Sequence, residues 1–279
     1  MNKFLIGAVG MVAVATSASA ADLAARPYTK APPPMMTSIY DWSGFYVGLN
    51  GGGGWSHKCW ERTDVAHTGS LSTFLPPLPP LPPILEGSAL FDTGVPSEFA
   101  AGCHDATGGT VGGQIGYRWQ RSVFVFGLEA QGNWADFKGD NVSLLNFNVR
   151  NQSKIDAFGL FTGQVGYAWN NVLLYVKGGA AVTNDKYTGL FIPTGLAFDS
   201  ATETRWGGVV GVGLEYGFTP NWSFGVEYDH MFMGDRDVSL YGTGTYFTGL
   251  SRIERIQQDV DMVTARINYR FGGPVVARY

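Results

Sequence analysis

The segment Arg266-Ile267-Asn268-Tyr269-Arg270-Phe271 alternates charged or amide side chains with apolar ones at every step. Successive side chains of a strand point to opposite faces, so this alternation describes a strand with one polar and one apolar face. The same period of two runs through eight segments, about 44–56, 107–119, 122–135, 155–169, 172–185, 203–218, 222–234 and 258–271. At about 12 to 16 residues they exceed the five or six of a soluble strand. They match or exceed the roughly 9 to 11 that a tilted strand needs to cross a bilayer. The composition agrees: 39 glycines and 14% aromatics suit strands better than helices, and the charged fraction of 15% is below the about 25% of soluble domains.

The connections fall into two populations that alternate along the chain. Gln120-Arg121, Asn170-Asn171 and Thr219-Pro220-Asn221 are tight turns, whereas about 57–106, 136–154, 186–202 and 235–257 are long. In an up-and-down sheet this puts every long loop at one end and every short turn, with both termini, at the other. The expected fold is therefore all-β: an eight-stranded antiparallel up-and-down transmembrane β-barrel with long extracellular loops and short periplasmic turns. The first long loop, 57–106, carries a proline repeat over 74–84 that cannot pair in a sheet and favours a stiff polyproline II rod, a rigid spacer or a recognition segment.

Splitting the strands by parity decides which face is outside. One face carries Val111, Ile115, Phe124, Phe126, Leu128, Val210, Val212, Leu214, Phe224, Val226, Val263 and Ile267. Trp119, Trp169, Trp222, Tyr117, Tyr167, Tyr216, Phe218, Tyr269 and Phe271 gather beside the short turns, as an interfacial girdle does. The opposite face carries Arg118, Glu129, Lys177, Glu215, Glu227, Asp229, Arg266 and Arg270, four acids against four bases, with glycines between. A soluble carrier barrel would need these charges outside; a membrane barrel needs them inside, where balanced pairs are tolerated and isolated charges are not. Glu129, Lys177, Glu227, Asp229 and Arg266 form a deep layer, and Arg118, Glu215 and Arg270 a layer near the short turns. Eight strands enclose only enough room for side chains. The expectation is a polar plug of ion pairs rather than a water-filled channel.

The ends carry their own signals. Lys3, an apolar run over 4–14 and Ala18-Ser19-Ala20 read as a signal peptide, residues 1–20, cleaved near Ala20 during export. Residues 21–43 form a proline-rich periplasmic arm, 44–271 the outer-membrane barrel and 272–279 a short periplasmic tail. Export makes oxidation of Cys59 and Cys103 favourable, so they read as a disulfide closing the first loop, with two free thiols as the alternative. A net charge of −4 without a basic block excludes nucleic acid as a partner.

The stretch Asp41-Trp42-Ser43-Gly44-Phe45-Tyr46-Val47-Gly48-Leu49-Asn50, the Ala21-Asp22-Leu23 start, the proline-rich arm and the closing Asn268-Tyr269-Arg270-Phe271 resemble the porin-like outer-membrane immunogenic proteins of alphaproteobacteria. The resemblance implies a small surface-antigen barrel that contributes to envelope integrity, in contact with outer-membrane lipid and lipopolysaccharide. It further implies loop-mediated ligand binding, such as heme, in some relatives. Phe271 resembles the terminal aromatic by which the barrel assembly machinery recognises its clients. The first loop, with its proline repeat and cysteine pair, and the tail beyond Phe271 depart from that pattern. No catalytic constellation and no cofactor set is expected. His57, His67 and His104 could offer weak loop contacts to a ligand, yet they lack metal-ligand spacing and read as solvated. His230 reads as an interface residue.

Overall fold

The computed structural model describes residues 40–64, 99–243 and 249–272. The expected signal peptide, most of the expected arm, the proline repeat, His67 and the tail from 273 onward lie outside the described residues. Eight strands follow one another: β1 (Gly44–Asp64), β2 (Phe99–Arg121), β3 (Phe124–Val142), β4 (Val149–Trp169), β5 (Val172–Phe191), β6 (Leu196–Thr219), β7 (Trp222–Gly242) and β8 (Leu250–Phe271). Each pairs antiparallel with its neighbour, and β1 pairs with β8, with Phe45 opposite Phe271, to close the ring. Closure removes the sheet edges, which nothing in lipid could satisfy.

The short-turn ends fall within two residues of the expected limits. The first turn, however, is Ser122-Val123 and not Gln120-Arg121. Ser122 and Asn170 hold positive φ values of 57° and 53°, a conformation in which a short polar side chain is tolerated.

The long-loop ends differ more. Every strand runs beyond its expected limit, so that 57–64 and 99–106 belong to β1 and β2, and two of the loops shrink to 143–148 and 192–195. These extensions escape a period-two reading for two physical reasons. Outside the membrane the outward face becomes polar as well, as in Asp136, Lys138 and Asp140 on β3, so the contrast between faces fades. Register irregularities at Ile155/Ala157 and Phe232/Gly234 also shift the parity mid-strand. At about 3.3 Å per residue and a tilt near 40°, a strand as long as β8 rises about 55 Å, some twice the roughly 25 Å apolar band of such barrels. The outer half of the barrel therefore stands clear of the membrane.

The band itself is visible in the exposed side chains. Phe45, Phe124, Tyr167, Tyr216 and Trp222 are exposed at the short-turn end, and Trp55, Trp134, Trp206 and Phe232 form a second exposed ring. The two rings are about ten residues apart along β1, β3 and β7, one bilayer crossing. Between them the outward face is Val111, Ile115, Leu128, Phe161, Val176, Val210 and their neighbours, all exposed.

Candidate functional site

The lumen is read most simply along β8, whose inward residues alternate strictly: Arg270, Asn268, Arg266, Thr264, Met262, Val260, Gln258, Ile256, Glu254 and Arg252, all buried. Together they pass through the successive layers of the interior, some ionic and some apolar.

At the periplasmic end the arm turns into the barrel. Tyr40 and Trp42 are buried and pack with Val125, Ala168, Leu173 and Tyr175, and the Trp42 amide donates to Gln120 Oε1 at 2.8 Å. Arg270 caps this end by donating to the Ser43 carbonyl at 3.0 Å and the Pro220 carbonyl at 2.8 Å. Its nearest carboxylate is Asp41, at 3.8 Å. Arg270 thus differs from the expectation: it closes the barrel end and pairs with none of the lumen acids, because it sits where the arm supplies carbonyl acceptors.

The next layer is Arg118, which donates to Glu215 at 2.8 and 3.1 Å. Its guanidinium lies over the rings of Tyr46, Trp42 and Tyr175 at 4.4, 5.7 and 5.6 Å, a desolvated cation–π cage. Glu215 also accepts from Ser223 and from Asn268, the latter at 2.9 Å. A cavity of about 10 Å³ beside Tyr46, Arg118, Glu215 and Asn268 has room for about one water.

The deep layer joins the other five expected residues. Arg266 pairs with both Glu129 and Glu227. Lys177 lies 2.6 Å from Glu227, 3.1 Å from Asp229 and 3.8 Å from Glu129. Tyr46 donates to Glu129 at 2.6 Å and Tyr175 to Glu227 at 2.5 Å. Glycine makes this possible: a Cβ at Gly116 or Gly213 would overlap the Tyr46 or Tyr175 ring, so these rings lie flat on bare backbone. Asn50, Gln114, Gln131 and Asn133 fill the adjoining space with amide hydrogen bonds.

Above it the expectation of a wholly polar lumen fails. Phe137, Ile155, Phe158, Leu160, Val209, Met231, Met233, Val260 and Met262 form an apolar layer inside the barrel. The parity count overlooks them because the even face of β8 and the odd face of β7 change from charged to apolar there without a break in alternation. Beyond this layer come residues most of which fall in the expected long loops, Asp185 and Arg205 excepted. Lys58 and Asp185 pair at 3.0 Å with both side chains fully buried, beside Arg205, which donates to the carbonyls of Gly234 and Ile256 at 2.9 and 2.8 Å. A second apolar layer contains Trp60, Tyr187, Val238, Leu240 and Ile256. Last, Arg252 binds Asp199 at 2.8 Å and Glu254 at 3.0 Å, and Arg62 reaches Glu254 at 3.1 Å. The signal for these layers was present in continued parity from Lys177 to Asp185 and from Arg266 back to Arg252.

Cys59 and Cys103 are directly opposed on β1 and β2 and form a disulfide. It staples two paired strands outside the membrane. The histidines do not converge. His57 is exposed and contacts Asp105 at 2.7 Å, whereas His104, one pairing position further along, points inward to Asn141 Oδ1 at 3.0 Å and Ser153 Oγ at 2.7 Å. Burial, with Lys58 nearby, pushes the His104 imidazole below its ordinary value, against the opposing hydrogen bond that Asn141 Oδ1 accepts from its Nδ1. The Ser153, His104 and Asn141 chain has the connectivity of an acyl-transfer triad, but Ser153 is only 3% exposed. No substrate carbonyl reaches it. His230 contacts Asp261 at 2.7 Å beside Phe232 on the outward face.

A closed ring of long antiparallel strands, apolar outside between two aromatic girdles and charged within, defines a transmembrane β-barrel. The chain belongs to the outer membrane protein beta-barrel domain family, which matches residues 6–271, and so to the outer membrane. Among solved structures it is similar to the outer membrane protease OmpT from Escherichia coli, with 13% identity, 82% of this chain and 97% of that one covered and a TM-score of 0.46. It is also similar to OprG from Pseudomonas aeruginosa (12%, 83% and 99%, 0.43) and to the attachment invasion locus protein Ail of Yersinia pestis (11%, 81% and 99%, 0.33). Comparison with curated protein sequences finds no significant match.

Proposed function

We propose that this chain is a structural outer-membrane barrel without catalytic activity, of the alphaproteobacterial immunogenic type that its sequence resembles. Its lumen is closed to solutes, and its outer half is displayed through the lipopolysaccharide layer as a surface antigen. One observation carries the reading: seven successive layers, from Trp42 at the periplasmic end to Arg252 at the other, consist of buried side chains. A solute would have to break the Arg266 and Lys177 network and then pass an apolar plug, and separating buried ion pairs costs several kcal/mol, about 3 to 5 per broken pair. The sealed position of Ser153 supports the non-catalytic part.

Proteoliposome swelling tests it. Vesicles containing the folded barrel should swell in small sugars or amino acids no faster than vesicles without it; swelling that scales with barrel content would overturn the closed lumen.

A second reading, a binder of host surface or ligand through the extracellular end, has one observation in its favour. Leu144, Phe147, Phe191, Ile192 and Leu196 are exposed on two adjacent connections, which are tied by the Ile192 amide donating to the Asn148 carbonyl at 2.8 Å. Exposed apolar clusters of this kind mark interaction surfaces. A heme site built on His57 and His104 together has no such support, since the two rings sit on opposite faces of the barrel wall.

A further inference from the structure

We infer that the outward face of β1 and β2 carries a redox-gated soft-metal site, whose ligands are His57 Nε2, Cys59 Sγ and Cys103 Sγ. The disulfide is the oxidised, metal-free form of that site.

The period of two puts His57 and Cys59 side by side on one face, and the register sets Cys59 opposite Cys103 and His57 opposite Asp105. The result is a two-by-two block of donors: the ligand atoms of His57, Cys59 and Cys103 all lie within 4.8 Å of one another. In tetrahedral zinc with Zn–S near 2.3 Å, two thiolates sit roughly 3.7 Å apart, a spacing that facing strand residues reach without moving the backbone. Asp105 Oδ1 lies 2.7 Å from His57 Nδ1. A carboxylate there accepts a hydrogen bond from Nδ1–H, which fixes the tautomer that leaves the Nε2 lone pair free, the outer-shell arrangement that orients metal-binding histidines. Nε2 already points at Cys59 Sγ, 3.5 Å away. The block is open to solvent, with His57 and Asp105 side chains 63% and 67% exposed, and it stands just beyond the exposed Trp55 that marks the outer girdle.

Two cysteines, one histidine and a vacant fourth position for water form a known zinc donor set, and thiolates also select cuprous copper. The chemistry balances with a thiol reductant: two R–SH molecules convert the disulfide to two Cys–SH and leave as RS–SR. A divalent zinc ion then displaces the two thiol protons and takes the neutral Nε2 of His57. A low-molecular-weight disulfide RS–SR reverses the sequence by thiol–disulfide exchange, leaving as two R–SH once protonated, re-forming the Cys59–Cys103 disulfide and releasing the metal.

The test uses the full mature barrel folded in detergent micelles, reduced under anaerobic conditions and freed of reductant. Cobalt(II) is the probe, because thiolate ligation gives it a near-ultraviolet charge-transfer band. The reduced protein should bind one cobalt ion per barrel with that band, zinc should displace it, and the oxidised protein should show none. His57→Ala should weaken binding at least tenfold, and Asp105→Asn by about 10- to 100-fold. Absence of the band in reduced protein, or an unchanged affinity in His57→Ala, overturns the site. The comparison of reduced with oxidised wild type needs no substitution, so a variant that fails to fold leaves the proposal testable. Because the site is outside the barrel wall, its outcome is independent of whether the lumen conducts.

Discussion

Arg266 shows how a single side chain organises the interior. It is 1% exposed and bridges Glu129 on β3 and Glu227 on β7 from its place on β8. Arg266→Met removes one of two cations and leaves Glu129, Glu227 and Asp229 to share Lys177, so it should lower stability by about 3 to 5 kcal/mol. Urea unfolding in micelles, read by the SDS-gel mobility shift between heated and unheated protein, measures it. A second residue gives a pH signature outside the membrane. His104 has a lowered folded-state value, so the folded barrel binds fewer protons there than the unfolded chain. Its contribution is fully present above the ordinary histidine value of about 6.5 and is lost as pH falls below it. The neighbouring charges are Lys58 on β1, Asp105 on β2 and Asp140 on β3. Urea midpoints at pH 7.5 and 5.5 should differ more for the wild type than for His104→Gln; equal differences would rule out His104 as the source.

At the scale of the strand, the sequence is most legible where the outward face meets lipid. There the contrast between Ile267 and Arg266, or Phe126 and Glu129, is large, and seven of the eight expected lumen charges enter the ion-pair layers. Arg270 departs because its environment is set by the arm, 227 positions away in sequence from Ser43, and no local pattern carries that. The outer extensions were illegible because water on the outside and ion pairs on the inside favour polar residues on both faces. Their apolar layer, such as Trp60 with Ile256, interrupts the polar pattern within the lumen. Glycine placement supplies an element-level test. Gly213→Val pushes into the Tyr175 ring and should destabilise by about 1 to 3 kcal/mol. Gly109→Val, on the exposed face with the nearest atom at 3.7 Å, should be nearly neutral. The same urea assay separates them, and equal losses would show that the lumen ring stack is not what requires glycine. The last strand carries another. Deleting 272–279 should leave insertion into the outer membrane unimpaired if Phe271 is the working assembly signal, as its place at the end of β8 suggests; loss of insertion would move that signal to the tail.

For the whole molecule, the central claim is that a barrel wide enough for side chains has been filled by them. Among the described residues, the adjoining ionic layers at Arg118 and Arg266 are separated from that at Lys58 by the apolar layer at Leu160, and Lys58 from Arg252 by the one at Trp60, so apolar groups interrupt the polar lining twice. Among the described residues the outer half, standing clear of lipid, is built like the inner half, with paired strands around packed layers. Single-channel recording in planar bilayers tests this most directly. Folded protein whose insertion is verified by the heat-dependent gel shift should give no persistent conductance steps above the bare bilayer; stable open channels that scale with the amount of folded barrel would contradict it.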